Sequence, residues 1–140
     1  MSMTTEEKQA FLADVHVGVL ALNEPGRGPL TVPVWYDYEP GGDLWFLTGK
    51  DSRKGRLIEP GTRLSLCVQT EEAPYRYVMV EGAVNDVRAP DDELEPMAVR
   101  YLGAEMGRAY AQNSAAEGGA SIVVRVRPER WLAVDYSKSN

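Results

Sequence analysis

Apolar residues along this chain recur in short runs, often alternating with polar ones and separated by Pro- and Gly-rich punctuation. That period predicts strands more than helices. The runs are Val15 to Leu22, Leu30 to Tyr38, Leu44 to Thr48, Arg63 to Gln69, Tyr75 to Val87, Ser121 to Arg127 and Arg130 to Asp135. Turn chemistry lies between them at Asn23–Pro29, Glu39–Asp43 and Thr70–Pro74. Pro33 inside the second run marks an edge strand or a bulge. Gly82 inside the fifth marks a bulge or a close approach of backbones. Helical signals are fewer. Thr4 or Thr5 can cap a helix to Ala13, with Glu6 and Glu7 in its first turn and Phe11 and Leu12 on its apolar face. Ser52 to Glu59 has the look of a short helix stopped by Pro60-Gly61. A third helix starts near Pro90 and runs to about Tyr101. Gly103 and Gly107 are expected to break it, leaving a piece over Arg108 to Gln112, a mobile loop over residues 113–119 and a fraying tail from Tyr136.

About seven strands at short spacing, with two or three helices and no βαβ alternation, imply an antiparallel sheet that closes as a barrel to protect its edges. The fold class is mainly β. At 140 residues and 15.5 kDa, with 44% hydrophobic and 26% charged residues, the chain makes one domain with a real core. The formal charge of −6 and the pI near 4.8 argue against nucleic acid as a partner. No apolar run reaches membrane-spanning length, and the polar, acidic start is unlike a signal peptide, so a cytoplasmic protein is expected. Cys67 is the sole cysteine and sits in an apolar run, as a small core residue would. His16 is the sole histidine, which leaves no metal-binding pair and no nucleophile–histidine apparatus. An enzyme of this composition borrows its chemistry from a cofactor.

One stretch departs from the acidic balance. Between Lys50 and Arg63 stand five cations, Lys50, Arg53, Lys54, Arg56 and Arg63, against Asp51 and Glu59; this segment is +3 and the remainder −9. It follows the strand Leu44-Trp45-Phe46-Leu47-Thr48. Cations, the Ser52 hydroxyl and free backbone N–H groups at a strand-to-helix turn suit an anion. Arg supplies a planar fork for phosphate oxygens and Lys a point charge. The same charges would equally serve as a solvated face with ordinary ion pairs.

The ordered set Leu-Trp-Phe-Leu-Thr-Gly-x-x-Ser-Arg-Lys-Gly, then Arg76-Tyr77-Val78-Met79-Val80-Glu81-Gly82, then Pro128-Glu129-Arg130-Trp131 resembles the pyridoxamine 5′-phosphate oxidase-like flavoproteins over roughly residues 5–136. The resemblance implies an antiparallel, Greek-key split β-barrel of the FMN-binding type and an intertwined homodimer with cofactor sites at the interface. It places the cofactor phosphate on Arg53 and Lys54, with Thr48 and Ser52 beside it. Thr31, Val32, Pro33, Val34 and Trp35 would lie along the ring system. Tyr77 stands where the oxidase has a glutamine reaching the cofactor of the other subunit, and Trp131 where it has a cofactor-contacting tryptophan.

Two departures redirect the expected chemistry. After Trp131 the chain lacks the Arg-x-His element that grips pyridoxal phosphate, so vitamin B6 oxidation is not expected. Tyr77 removes an amide from the flavin edge. The Thr-Val-Pro-Val-Trp-Tyr strand followed by Ser-Arg-Lys-x-Arg resembles the deazaflavin branch, whose coenzyme F420 continues from its phosphodiester into a carboxylate-rich tail. Lys50, Arg56 and Arg63 are charge beyond what one phosphate needs. The expected activity is hydride transfer from reduced F420 to an unsaturated or quinone-like acceptor, in a pocket lined by Trp35, Tyr75 and Tyr77. Alternatives are an FMN-dependent reductase of the same fold and a non-catalytic flavin or deazaflavin carrier. Glu81 is expected to be an exposed or ion-paired strand residue.

Overall fold

The computed structural model describes residues 1–117 and 119–138, without the side chains of 115–117. It contains eight strands: β1 (Gly18–Leu22), β2 (Leu30–Val34), β3 (Tyr36–Tyr38), β4 (Leu44–Gly49), β5 (Arg63–Gln69), β6 (Arg76–Arg88), β7 (Ser121–Val126) and β8 (Arg130–Asp135). All pairings are antiparallel. The hydrogen-bonded path runs β2-β1-β5-β6-β7-β4-β3, with β8 attached to β6. Its two end strands, β2 and β3, are separated in sequence by Trp35 alone. A sheet whose end strands are one residue apart must curl until those ends come together at Trp35. The single run expected over Leu30–Tyr38 is therefore two strands, and Trp35 is the corner of the barrel.

β6 is the spine. Its first half pairs with β5 and β8, and its second with β7. The register shifts between Val84 and Asp86, a bulge that bends a strand shared by two faces. Gly82 lies just before it; a Cβ there would stand 2.0 Å from the Arg127 carbonyl. Inward positions alternate as the pleat requires: Leu20, Leu22, Leu64, Leu66, Val68, Val78, Val80, Tyr36 and Phe46 are all buried. Pro33 sits on β2, paired on one side only in this chain, where its missing N–H costs nothing.

Three α-helices cover the barrel. α1 (Thr5–Ala13) is fixed by a capping box in which the Thr4 hydroxyl accepts the Glu7 N–H and the Glu7 carboxylate accepts the Thr4 N–H. It lays Phe11 and Leu12 into the core. α2 (Leu94–Leu102) ends at Gly103, whose φ of 87° suits glycine. α3 (Ala104–Glu117) corrects two expectations: Gly107 does not break the helix, and residues 113–117 are helical rather than a loop, while Gly118 lies outside the described residues. Gly107 is there for contact. A Cβ on it would meet the Val99 backbone at 2.5 Å, so glycine lets α3 press against α2. Residues 136–138 are tied down, since the Tyr136 N–H donates to the Tyr75 carbonyl and Lys138 pairs with Glu7; the rest of the tail lies outside the described residues.

Candidate functional site

The basic stretch after β4 is a tight turn, not the helix expected over Ser52–Glu59. Only Gly55–Leu57 winds, as a single 3₁₀ turn. Ser52 closes the turn. Its hydroxyl donates to the Gly49 carbonyl at 2.7 Å, accepts the Gly55 N–H at 3.0 Å and lies 3.2 Å from the Thr48 hydroxyl. Thr48 is buried. Gly55 is obligatory, because a Cβ would sit 2.1 Å from the Gly49 carbonyl oxygen. The Ser and the two glycines thus build a compact cradle, and the cations project from it.

Those cations are not equivalent. Arg53 is held by Glu24 of the β1–β2 turn, its Nε donating at 3.0 Å and its Nη2 closing the second arm of the fork. The carboxylate holds the Arg53 pKa up, and the guanidinium holds that of Glu24 down. Arg63 is likewise engaged, with Glu81 and Glu129, so Glu81 is an ion-paired strand residue as expected. Among the described residues, Lys50, Lys54 and Arg56 make no ion pair.

Lys54 reaches a cavity of about 340 Å³ walled by Val17, Pro33, Val34, Trp35, Leu47 and Tyr110. Pro33, Val34, Trp35 and Lys54, proposed from the sequence as site residues, therefore share one space. Trp35 stacks on Tyr101 at 5.1 Å and 6° and meets Tyr110 at 5.3 Å. Trp35 and Tyr110 thus wall the cavity, and Tyr101 backs Trp35 from outside it.

The backbone at the Trp35 corner leaves the ladder and is satisfied by α2 instead. The Tyr101 hydroxyl accepts the Tyr36 N–H at 3.0 Å and donates to the His16 carbonyl at 2.6 Å. Arg100 donates to the carbonyls of Tyr36, Ala13 and Asp14, and its Nη1 stands 3.2 Å from the Asp37 carboxylate. Burial pushes the Tyr101 phenol up, keeping it protonated as this bonding requires.

Other sequence-proposed residues lie elsewhere in the single chain. Thr31 is exposed on β2, and Val32 packs against the core. Tyr75 is exposed beyond the β5–β6 turn, while Tyr77 faces outward on β6 opposite Gln69 and Val134. Trp131 packs edge-on to Tyr38 at 6.1 Å, under the Lys8 ammonium, in a separate pocket of about 210 Å³. Sequence reading missed Glu24, Tyr101, Arg100 and Tyr110. Tyr110 lay in a predicted helical piece with no pattern aiming it at Trp35. Among the described residues no group of His, Cys, Asp and Glu could hold a metal ion, and no helix is long and apolar enough to cross a membrane.

A curled antiparallel barrel with a cation-bearing turn beside an aromatic-walled cavity defines the class of split β-barrels. The sequence matches the family described as pyridoxamine 5′-phosphate oxidase over residues 4–135, so the chain belongs to that family. No curated protein matches it. Solved structures agree on the fold. A conserved hypothetical protein of Mycobacterium tuberculosis is similar with a TM-score of 0.75 at 21% identity, over 97% of this chain and 87% of that one. An F420 reductase is similar with a TM-score of 0.60 at 23% identity, over 89% and 94%. A FAD- and haem-binding protein of Mycobacterium smegmatis gives 0.68 at 17% identity, over 96% and 72%.

Proposed function

We propose that this protein is an oxidoreductase that takes hydride from reduced coenzyme F420 to an unsaturated or quinone-like organic acceptor. The observation that carries this reading is the placement of Lys54 and the Pro33-Val34-Trp35 strand end around one aromatic-walled cavity. The residues fit the group: the Trp35 and Tyr110 rings suit a planar ring, and the cradle beside them suits a phosphodiester. Lys50 and Arg56, exposed and without ion pairs among the described residues, extend positive charge along the turn, as a carboxylate-bearing tail would require and a single phosphate would not. That the family's solved relatives include an F420 reductase supports the choice.

The bound deazaflavin supplies the hydride chemistry. This chain's own residues bind and orient. Lys54 neutralises phosphate charge, the Ser52–Gly55 turn holds it in place, and the apolar walls Val17, Leu47 and Pro33 keep water from the ring face. No titratable side chain other than Lys54 and the Tyr110 phenol lines the cavity among the described residues, so a proton needed by the acceptor comes from that phenol or from solvent.

The protein acts as a homodimer in this reading. Pro33, Val19, Cys67, Met79 and Leu132 are aligned across five strands on the outer face, none of them buried. Such a continuous apolar row suits a second copy. It also corrects the placement of Cys67, which points outward rather than into the core. Because Pro33 belongs to both the row and the cavity wall, a partner lies next to the cofactor in this reading and brings its exposed Tyr75 or outward-facing Tyr77 toward it. Sedimentation of the wild type and of Leu132→Arg tests this: a dimer that the charge dissociates supports the reading, and a wild-type monomer overturns it.

The experiment for the cofactor is a titration with coenzyme F420 and, separately, FMN, following tryptophan fluorescence. Micromolar F420 binding with weak FMN binding is expected, followed by turnover with a quinone acceptor. The reverse preference would make the protein an FMN-dependent reductase. Tight binding without turnover on any acceptor would make it a carrier.

A further inference from the structure

The cation that the sequence resemblance puts first at the phosphate, Arg53, is already occupied. Its guanidinium is forked by Glu24, a carboxylate 29 residues upstream in the turn between β1 and β2. A bidentate carboxylate uses the same two N–H vectors that a phosphate group would use. Arg53 cannot offer that Nε/Nη2 edge to Glu24 and to a ligand at once, although its Nη1 N–H groups stay open. Lys50, Lys54 and Arg56 carry no such partner among the described residues, so the turn holds one closed cation and three open ones.

We infer that Glu24 is a built-in competitor of the anion site: it holds Arg53 until a phosphate-bearing ligand displaces it, and its release frees the 23–29 turn. This rests on the reading of the basic turn as the cofactor's phosphate anchor. The exchange is energetically accessible. The pair lies at the surface, with side-chain exposures of 51% for Arg53 and 16% for Glu24, so solvent screens it and a phosphate-bearing ligand can compete for the arginine. Its consequence is local. The fork to Arg53 is the only side-chain hydrogen bond made by residues 23–29 among the described residues. The remaining tie is a backbone bond inside the turn, from the Arg27 N–H to the Glu24 carbonyl. Gly26, at a φ of 75°, and Gly28 leave the segment open to rearrangement. The turn leads directly into β2, whose Pro33 and Val34 wall the cavity, so ligand charge at Arg53 and the position of β2 are linked.

The opposite arrangement, in which Glu24 steers Arg53 toward a shared ligand, predicts effects of the other sign. Dissociation constants for coenzyme F420 and for FMN are measured at one ionic strength for wild type, Glu24→Gln, Arg53→Gln and the double variant. Hydrogen exchange of residues 23–29 is followed alongside. Competition predicts that Glu24→Gln binds about fivefold tighter, the scale of an exposed pair, and that Arg53→Gln binds more weakly. The double variant then matches Arg53→Gln alone. Ligand speeds exchange of the turn in the wild type, whereas in Glu24→Gln exchange is fast from the start. Unchanged or weaker binding by Glu24→Gln, or a turn that ligand protects, overturns the inference. If the wild type binds neither cofactor, the cofactor reading falls by itself, and inorganic pyrophosphate decides the exchange. Faster exchange of the wild-type turn with pyrophosphate sustains it, and no change refutes it.

Discussion

The Tyr101 hydroxyl sits 2.6 Å from the His16 carbonyl and 3.0 Å from the Tyr36 backbone nitrogen, so one side chain of α2 spans the gap where β2 gives way to β3. The same ring stacks on Trp35. The corner that closes the barrel and the Trp35 ring that walls the cavity are therefore held by one residue.

Tyr101→Phe keeps the stack and removes the hydroxyl. Two partly buried backbone groups lose their partner, and an unsatisfied buried group costs about 1–3 kcal/mol. The melting temperature is expected to fall by roughly 4 °C for each kcal/mol in a chain of this size. Because the corner that carries Trp35 loses its hydrogen bonds to α2, cofactor affinity should fall as well. Wild-type melting in the Tyr101→Phe protein would show that water or Arg100 alone satisfies the corner.

Gly55→Ala attacks the cradle without touching a charge. The new methyl would lie 2.1 Å from the Gly49 carbonyl and 2.8 Å from that of Lys50, so the turn must open. The expected result is near-complete loss of anion binding with the barrel's far-ultraviolet circular dichroism retained. Ser52→Ala should follow in the same direction and less severely, since it deletes three hydrogen-bond contacts but adds no clash.

The barrel was legible because its strands alternate and because Pro and Gly fall between them. In the candidate site only local pieces could be read, Thr48 with Ser52 in one turn and Pro33, Val34 and Trp35 at one strand end. What crosses the fold was not. Nothing near Glu24 in sequence points to Arg53, and nothing near Tyr101 points to Tyr36, 65 positions away. Gly107 reads as a breaker by propensity, yet close packing on Val99 overrides it. Ser52 has N-cap chemistry, but the chain behind it reverses after a single 3₁₀ turn because Pro60-Gly61 and the return into β5 leave no room for a helix.

His16 gives the fold a measurable acid sensitivity. Its imidazole stacks on Phe11 at 4.6 Å, and its Nε2 is buried without a hydrogen-bond partner among the described residues. Burial pushes its pKa below 6.5; Arg76 and Arg100 act the same way, while Asp14 and a hydrogen bond to the Phe11 backbone oppose them. A base whose folded pKa is lowered binds its proton more readily when unfolded, so its contribution is complete above 6.5 and is lost as pH falls below that value. The carboxylates Glu7 and Glu93, held near 2 from 4.5, add their losses only further down. Proton NMR of the single imidazole should give a midpoint below 6.5, and denaturation midpoints should decline as pH falls below that value. His16→Gln should flatten that decline. An imidazole midpoint at or above 6.5 would contradict the buried, neutral ring.

The three cations without ion pairs among the described residues make separable predictions about the cofactor. Lys54, half-buried at the cavity, should act on any phosphate-bearing ring ligand. Lys54→Ala is expected to weaken both F420 and FMN by about 1.5–3 kcal/mol, the range of hydrogen bonds to charged groups. Lys50 and Arg56 lie exposed on the turn, where only a long charged tail has reason to reach. Changing both to Ala should weaken F420 several-fold, with an effect that shrinks as salt rises, and should leave FMN nearly untouched. Equal losses for the two ligands would mean that the turn senses phosphate alone, and the case for a carboxylate-bearing tail would be gone. Unchanged affinity in Lys54→Ala would remove the anchor from this turn altogether.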